Sequence, residues 1–121
     1  MTKLLTIDDE IEFTSLIKGY FSLRGFEVYV ANKGDEGLRL FIKERPQVCL
    51  IDLKMPGMHG DDVLREIMLI DPSTKCIMIT ASEGQGKTRK MLKEQGAFSC
   101  FDKPITSLVN LEQEIREALS A

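Results

Sequence analysis

The sequence lacks the long apolar stretch of a signal peptide or membrane span at its start: Met1-Thr2-Lys3-Leu4 passes directly into a short apolar run that already carries two aspartates. A cytoplasmic protein with no membrane partner is expected. It also lacks an excess of basic residues. Charged residues make up 29% of the chain while the formal net charge is −3, so no positive field is available to hold a nucleic-acid backbone, and direct nucleic-acid binding is not expected. Histidine and cysteine are scarce. The single histidine, His59, has no cysteine near it in sequence, which removes the zinc-ligand patterns. Cys49, Cys76 and Cys100 are odd in number, widely spaced and flanked by apolar residues, so they read as buried reduced thiols and not as a disulfide framework. No internal repeat, low-complexity tract or linker interrupts the chain. With 121 residues and 43% hydrophobic content, residues 1–121 are expected to form one compact domain.

What is present is an alternation of short aliphatic runs with longer segments of helical period, the pattern of a parallel sheet with helices on both faces. Five runs read as strands: Leu4 to Ile7, Val28 to Val30, Val48 to Ile51, Ile77 to Ile79 and Phe98 to Phe101. The first helix carries a stripe of Phe13, Leu16, Ile17, Tyr20 and Phe21, with Gly25 expected to stop it. Further helices are expected over Lys33 to Glu44 (Leu38, Phe41, Ile42), Asp61 to Ile70 (Val63, Leu64, Ile67) and Ser107 to Ser120 (Leu108, Leu111, Ile115, Leu119), with Asp61 as an N-cap. Gly84 to Gln95 offers only Met91 and Leu92 as core anchors, and predicts a polar, loosely held helix.

In an open parallel sheet, ligands bind beyond the carboxyl ends of the strands, where the strand order reverses. The residues expected there are Asp8 and Asp9 after the first strand, Asp52 after the third, Thr80 after the fourth and Lys103 after the fifth. Taken singly each has an ordinary reading: an N-cap for Asp8 or Asp9, a strand-end residue for Thr80, an uninformative Lys-Pro for Lys103. Asp52 adjoins a buried strand and is costly there unless satisfied. Taken together they predict one pocket. Three crowded carboxylates repel one another unless a cation holds them, and oxygen ligands with no histidine or thiolate favour Mg²⁺. A carboxylate beside Mg²⁺ can be a nucleophile toward phosphorus, with Lys103 and Thr80 placed to hold the transferred oxygens.

These residues resemble the receiver domains of response regulators in two-component phosphorelay systems, over the whole chain. The matching pieces are Thr6-Ile7-Asp8-Asp9-Glu10, Ile51-Asp52-Leu53-Lys54-Met55-Pro56-Gly57-Met58-His59-Gly60, Thr80-Ala81, and Gly96-Ala97 leading to Asp102-Lys103-Pro104. The resemblance implies a doubly wound, five-stranded, flavodoxin-like fold with Asp52 as phosphoacceptor. It implies that Asp9, Asp52 and the backbone carbonyl of Lys54 bind Mg²⁺ while Asp8 helps through water. Thr80 would follow the phosphoryl group and Lys103 would pair with it, with Lys54 and Ser82 tuning hydrolysis of the aspartyl phosphate. The implied partners are a sensor histidine kinase or histidine phosphotransfer protein as donor and a downstream protein or output domain as receiver. The implied role is that of a regulatory phosphoacceptor and not a turnover enzyme. Homodimerisation through the last helices is a further family expectation, although Leu108, Leu111, Ile115 and Leu119 are explained as well by a core.

Two features depart from the family. The aromatic usually found three positions before the lysine is Cys100 here, and the neighbouring Phe101 should face the other side of the sheet. Glu83-Gly84-Gln85-Gly86 is glycine-rich and about one residue longer than the common family pattern. Three rival readings are set beside this one. Gly86-Lys87-Thr88 ends like a phosphate-binding P-loop, but that motif needs a glycine at position 81, which is alanine. A receiver-like binding module that works without phosphorylation is the second rival. A hydrolase using the same carboxylates is the third, against which no second general base is evident near Asp52, and His59 should lie on the surface.

Overall fold

The computed structural model describes residues 1–81 and 85–121, with side chains described for all of these except 85–87. The elements alternate strictly: β1 (Thr2–Ile7), α1 (Ile11–Ser22), β2 (Phe26–Ala31), α2 (Gly34–Glu44), β3 (Val48–Asp52), α3 (Gly60–Ile70), β4 (Lys75–Ala81), α4 (Gln85–Glu94), β5 (Ser99–Lys103) and α5 (Leu108–Ser120). The five strands form one parallel sheet in the order β2-β1-β3-β4-β5. The fold is therefore the expected doubly wound five-stranded one, and its order reverses between β1 and β3.

The side-chain period of two along each central strand divides the core. Leu5, Ile7, Cys49, Ile51, Cys76 and Met78 pack on one face with Phe41 of α2, Val63, Leu64 and Ile67 of α3 and Leu92 of α4. Leu4, Val48, Leu50, Ile77 and Ile79 pack on the other with Ile17 and Phe21 of α1 and Leu111, Ile115 and Ala118 of α5. A strand buried on both faces cannot alternate apolar with polar residues, which is why Val48-Cys49-Leu50-Ile51 is apolar throughout. The α5 stripe, with Leu108 and Leu119 partly buried at its ends, is used in this core. No helix among the described residues is long and apolar enough to cross a membrane.

Several local expectations are corrected. Asp61 is not the N-cap of α3: the helix starts one residue earlier, at Gly60, with His59 at the cap and no side-chain bond there. Ser107 does cap α5, accepting from the backbone N–H of Asn110 at 3.1 Å. Leu16 and Ile42, placed in apolar stripes, are exposed, and so is Met91, leaving Leu92 as the buried anchor of α4. Gly25 lies three residues beyond the last turn of α1 with φ +90°, a conformation that glycine adopts without strain, and turns the chain into β2. The thiols of Cys49 and Cys76 are free, buried and opposite one another in the β3–β4 ladder, where burial pushes the Cys49 thiol up. Cys100 is also free but only partly buried. It packs on the α2–α4 side while Phe101 packs on the α1–α5 side, so Phe101 does not occupy the place of the missing aromatic.

Candidate functional site

The reversal in strand order leaves a crevice at the carboxyl end of β1 and β3, and three carboxylates meet there. Asp8 and Asp9 follow the last residue of β1, and Asp52 is itself the last residue of β3. One carboxylate oxygen from each lies within 4.8 Å of the other two, the one such acidic cluster among the described residues. Thr80 and Lys103 also fall inside the ends of their strands and not after them, because β4 and β5 run on to Ala81 and Lys103. The parallel register pairs Asp52 with Ile79 and Thr80 with Asp102, which brings all these residues to one edge.

Local backbone bonds fix the geometry. The Asp8 N–H donates to the Ala31 carbonyl at 3.1 Å, extending the β1–β2 ladder one residue past the strand. Asp8 Oδ1 accepts from the backbone N–H of Glu10 at 2.9 Å, and the Asn32 amide donates to the Asp8 carbonyl at 2.9 Å and to the Thr14 hydroxyl at 3.1 Å. Behind Asp52, the Leu53 N–H donates to the Ile79 carbonyl at 2.9 Å and the Gly60 N–H donates to the Leu53 carbonyl at 2.8 Å. A side chain at position 60 would collide with the Asp52 carbonyl, so the loop closes this tightly only over glycine.

Lys103 is the cation of the site. Its Nζ lies 2.6 Å from Glu10 Oε1, 2.9 Å from Asp8 Oδ2 and 3.6 Å from Asp52 Oδ1. Burial works against the ammonium, but the bonds to Glu10 and Asp8 and the charge of Asp52 outweigh it and hold its pKa above the ordinary lysine value. Burial and the negative charge of Asp8 push Asp52 up to about 7, with Asp9 adding to the rise and Lys103 opposing it. Asp8 is also raised, by burial, against the Glu10 N–H and Lys103. Thr80, 4% exposed as a residue, donates from its hydroxyl to the Ala81 carbonyl at 2.9 Å.

The site fits a hard divalent cation. Asp8 Oδ2 is buried and takes no hydrogen bond of ordinary geometry, facing the Lys103 ammonium only as an ion pair. Three carboxylates, Asp8, Asp9 and Asp52, crowd together there beside the Lys103 ammonium. All the donors are oxygens, as Mg²⁺ requires. Lys54 is exposed in the loop two residues beyond Asp52, and His59 is exposed at the start of α3. Ser82 lies outside the described residues, as do Glu83, Gly84 and the Lys87 side chain of the P-loop-like stretch. Sequence reasoning gave no role to Glu10 or Asn32. Asn32 carries no signal, being a lone amide, whereas Glu10 stands in the acidic run Asp8-Asp9-Glu10 that could have drawn attention to it.

The family model for the response regulator receiver domain matches residues 4–116. The chain belongs to that family. Sporulation initiation phosphotransferase F of Bacillus subtilis is 33% identical over 97% of this chain and 90% of its own length. Chemotaxis protein CheY of Listeria monocytogenes is 35% identical over 86% of this chain and 87% of its own. Against the transcriptional regulatory protein CpxR homolog of Haemophilus influenzae, 36% identical over 86% of this chain, the match spans only 44% of the relative. Among solved structures, a response regulator receiver domain protein from Clostridium thermocellum superposes with a TM-score of 0.91 at 34% identity, covering 99% of this chain and 95% of that one. Response regulator protein TrrA of Thermotoga maritima, solved in complex with Mg²⁺ and BeF, gives 0.85 at 26% identity over 98% and 99%. This is thus a receiver domain of the two-component response regulators. A phosphoacceptor role fits it, and neither the phosphorylation-independent module nor the nucleotide-binding reading is favoured.

Proposed function

We propose that residues 1–121 act as one receiver domain in which Asp52 takes a phosphoryl group from phosphohistidine on a sensor histidine kinase or a histidine phosphotransfer protein. The observation that carries this reading is the meeting of three carboxylates within 4.8 Å with the Lys103 ammonium 3.6 Å from Asp52. Asp9, Asp52 and the backbone carbonyl of Lys54 would hold Mg²⁺, with Asp8 reaching it through a water. Bound there, Mg²⁺ supplies charge neutralisation for the carboxylates and the phosphoryl oxygens.

An Asp52 oxygen forms the new bond to phosphorus while the P–N bond of the donor breaks, its electron pair leaving with the imidazole. Lys103 stays within reach of Asp52 and neutralises one of the transferred oxygens. The Thr80 hydroxyl exchanges its bond to the Ala81 carbonyl for one to another of those oxygens. The added charge biases the domain around Thr80 toward one of two conformations, and a downstream protein or output domain reads the difference. The domain assists its own phosphorylation and dephosphorylation as a cytoplasmic regulator and does not turn over a separate substrate.

Intact-mass spectrometry after incubation with Mg²⁺ and acetyl phosphate or phosphoramidate tests this. A hydroxylamine-labile phosphate should appear on the unmutated chain, and be missing with EDTA or in Asp52→Asn. An equal adduct on Asp52→Asn would remove Asp52 from the role. No adduct on a folded chain with either donor would revive the phosphorylation-independent module.

A further inference from the structure

The shortest contact of Lys103 is with Glu10, a residue outside the carboxylate cluster. Glu10 is the N-cap residue of α1, its side chain 63% exposed, and Lys103 Nζ lies 2.6 Å from its Oε1. Phe13, one turn further along the same helix, places its ring centroid 5.3 Å from the same nitrogen. Residues three apart share a helix face, so the first turn of α1 presents a carboxylate and an aromatic face to one ammonium. Lys103 itself is 20% exposed and also contacts Asp8, which is 1% exposed. One N–H of the ammonium is directed at Glu10 and Asp8 Oδ2 stands 2.9 Å away as an ion pair, so a phosphoryl group on Asp52 has to compete with both carboxylates for the cation.

We infer that Glu10 is a positioning residue that acts through Lys103: its carboxylate holds the ammonium at the mouth of the site and gives it up when a phosphoryl group arrives on Asp52. The inference rests on the phosphoacceptor reading. Glu10 thereby weakens the grip of the site on a phosphoryl group, and its removal strengthens it. An ordinary surface ion pair would have no such consequence. This one differs because its cation is the group that the phosphoryl oxygens need.

The Mg²⁺-loaded full chain is titrated with beryllofluoride, a phosphoryl mimic, and followed by NMR for the unmutated protein, Glu10→Gln, Lys103→Ala and the double variant. Glu10→Gln is expected to bind the mimic about two- to five-fold more tightly, the range that an ion pair of this exposure commands. Adding Glu10→Gln to Lys103→Ala is expected to change nothing. Where Lys103→Ala binds too weakly to titrate, the same cycle is read on the initial rate of phosphorylation by acetyl phosphate. Unchanged affinity in Glu10→Gln would overturn the inference. So would equal tightening with and without Lys103, which would make Glu10 a charge at the mouth that acts independently of the lysine. Failure of the unmutated chain to take up either beryllofluoride or a phosphate would instead overturn the phosphoacceptor reading, and the inference with it.

Discussion

A Cβ on Gly60 would lie 2.1 Å from the backbone carbonyl oxygen of Asp52. Neither partner is the end of a flexible side chain, so the backbone at the end of β3 has to move to make room. Gly60→Ala is therefore expected to cost roughly 1–3 kcal/mol, the range of an overpacked core site. It should also reduce phosphate uptake by displacing Asp52. Urea unfolding and intact-mass spectrometry check the two effects, and native stability with full uptake would show that the loop relaxes freely.

Residues whose environment is set by strand period were legible before the structure. The β3 run and the arrival of Asp8, Asp9, Asp52, Thr80 and Lys103 at one edge of the sheet follow from alternation and topology, although β4 and β5 run on through Thr80 and Lys103 and not up to them. What was not legible depended on helix rotation. Two adjacent apolar residues in a helix point about 100° apart, so a short apolar pair in a polar segment does not say which member is core. In α4 it is Leu92, fully buried, and not Met91, 41% exposed. Glu10 was illegible for a related reason, since its contact with Lys103 spans 93 positions and no local pattern encodes it.

The α4 assignment gives a direct comparison. Leu92→Ala should lose roughly 2–4 kcal/mol, as buried leucines do, and Met91→Ala less than about 1 kcal/mol. Equal losses in thermal or denaturant unfolding would mean that α4 is rotated from the position described.

The raised carboxyl groups set a pH dependence. Asp52 is about 7 in the folded chain against 3.8 for the free side chain, so between these values the native state holds a proton that the unfolded state has lost. Stability of the metal-free protein must then fall as pH rises through that window. At roughly 1.4 kcal/mol per pH unit, Asp52 contributes at most about 4 kcal/mol, and Asp8, also raised, acts in the same direction. Melting curves in EDTA should show a lower Tm at pH 8 than at pH 5.5, with the difference reduced in Asp52→Asn and in the presence of Mg²⁺. A metal-free Tm that rises with pH would contradict the crowding of charge at the site.

Lys103 has a further consequence for metal binding. In the metal-free chain it is the cation that offsets Asp8 and Asp52, at 2.9 and 3.6 Å, and its removal leaves buried carboxylates without a counter-charge. Breaking such a pair destabilises by roughly 3–5 kcal/mol when it is fully buried. With Lys103 itself 20% exposed, a smaller loss of about 2 kcal/mol is expected for Lys103→Ala in EDTA at pH 8. The same deletion removes the cation that opposes Mg²⁺ at those oxygens, so Mg²⁺ should bind Lys103→Ala more tightly than the unmutated chain and restore most of the lost stability. Unfolding in EDTA and in Mg²⁺, with a Mg²⁺ titration by NMR for each protein, measures both effects. If Lys103→Ala loses stability but binds Mg²⁺ more weakly, the ammonium positions the carboxylates for the ion and does not stand in for it.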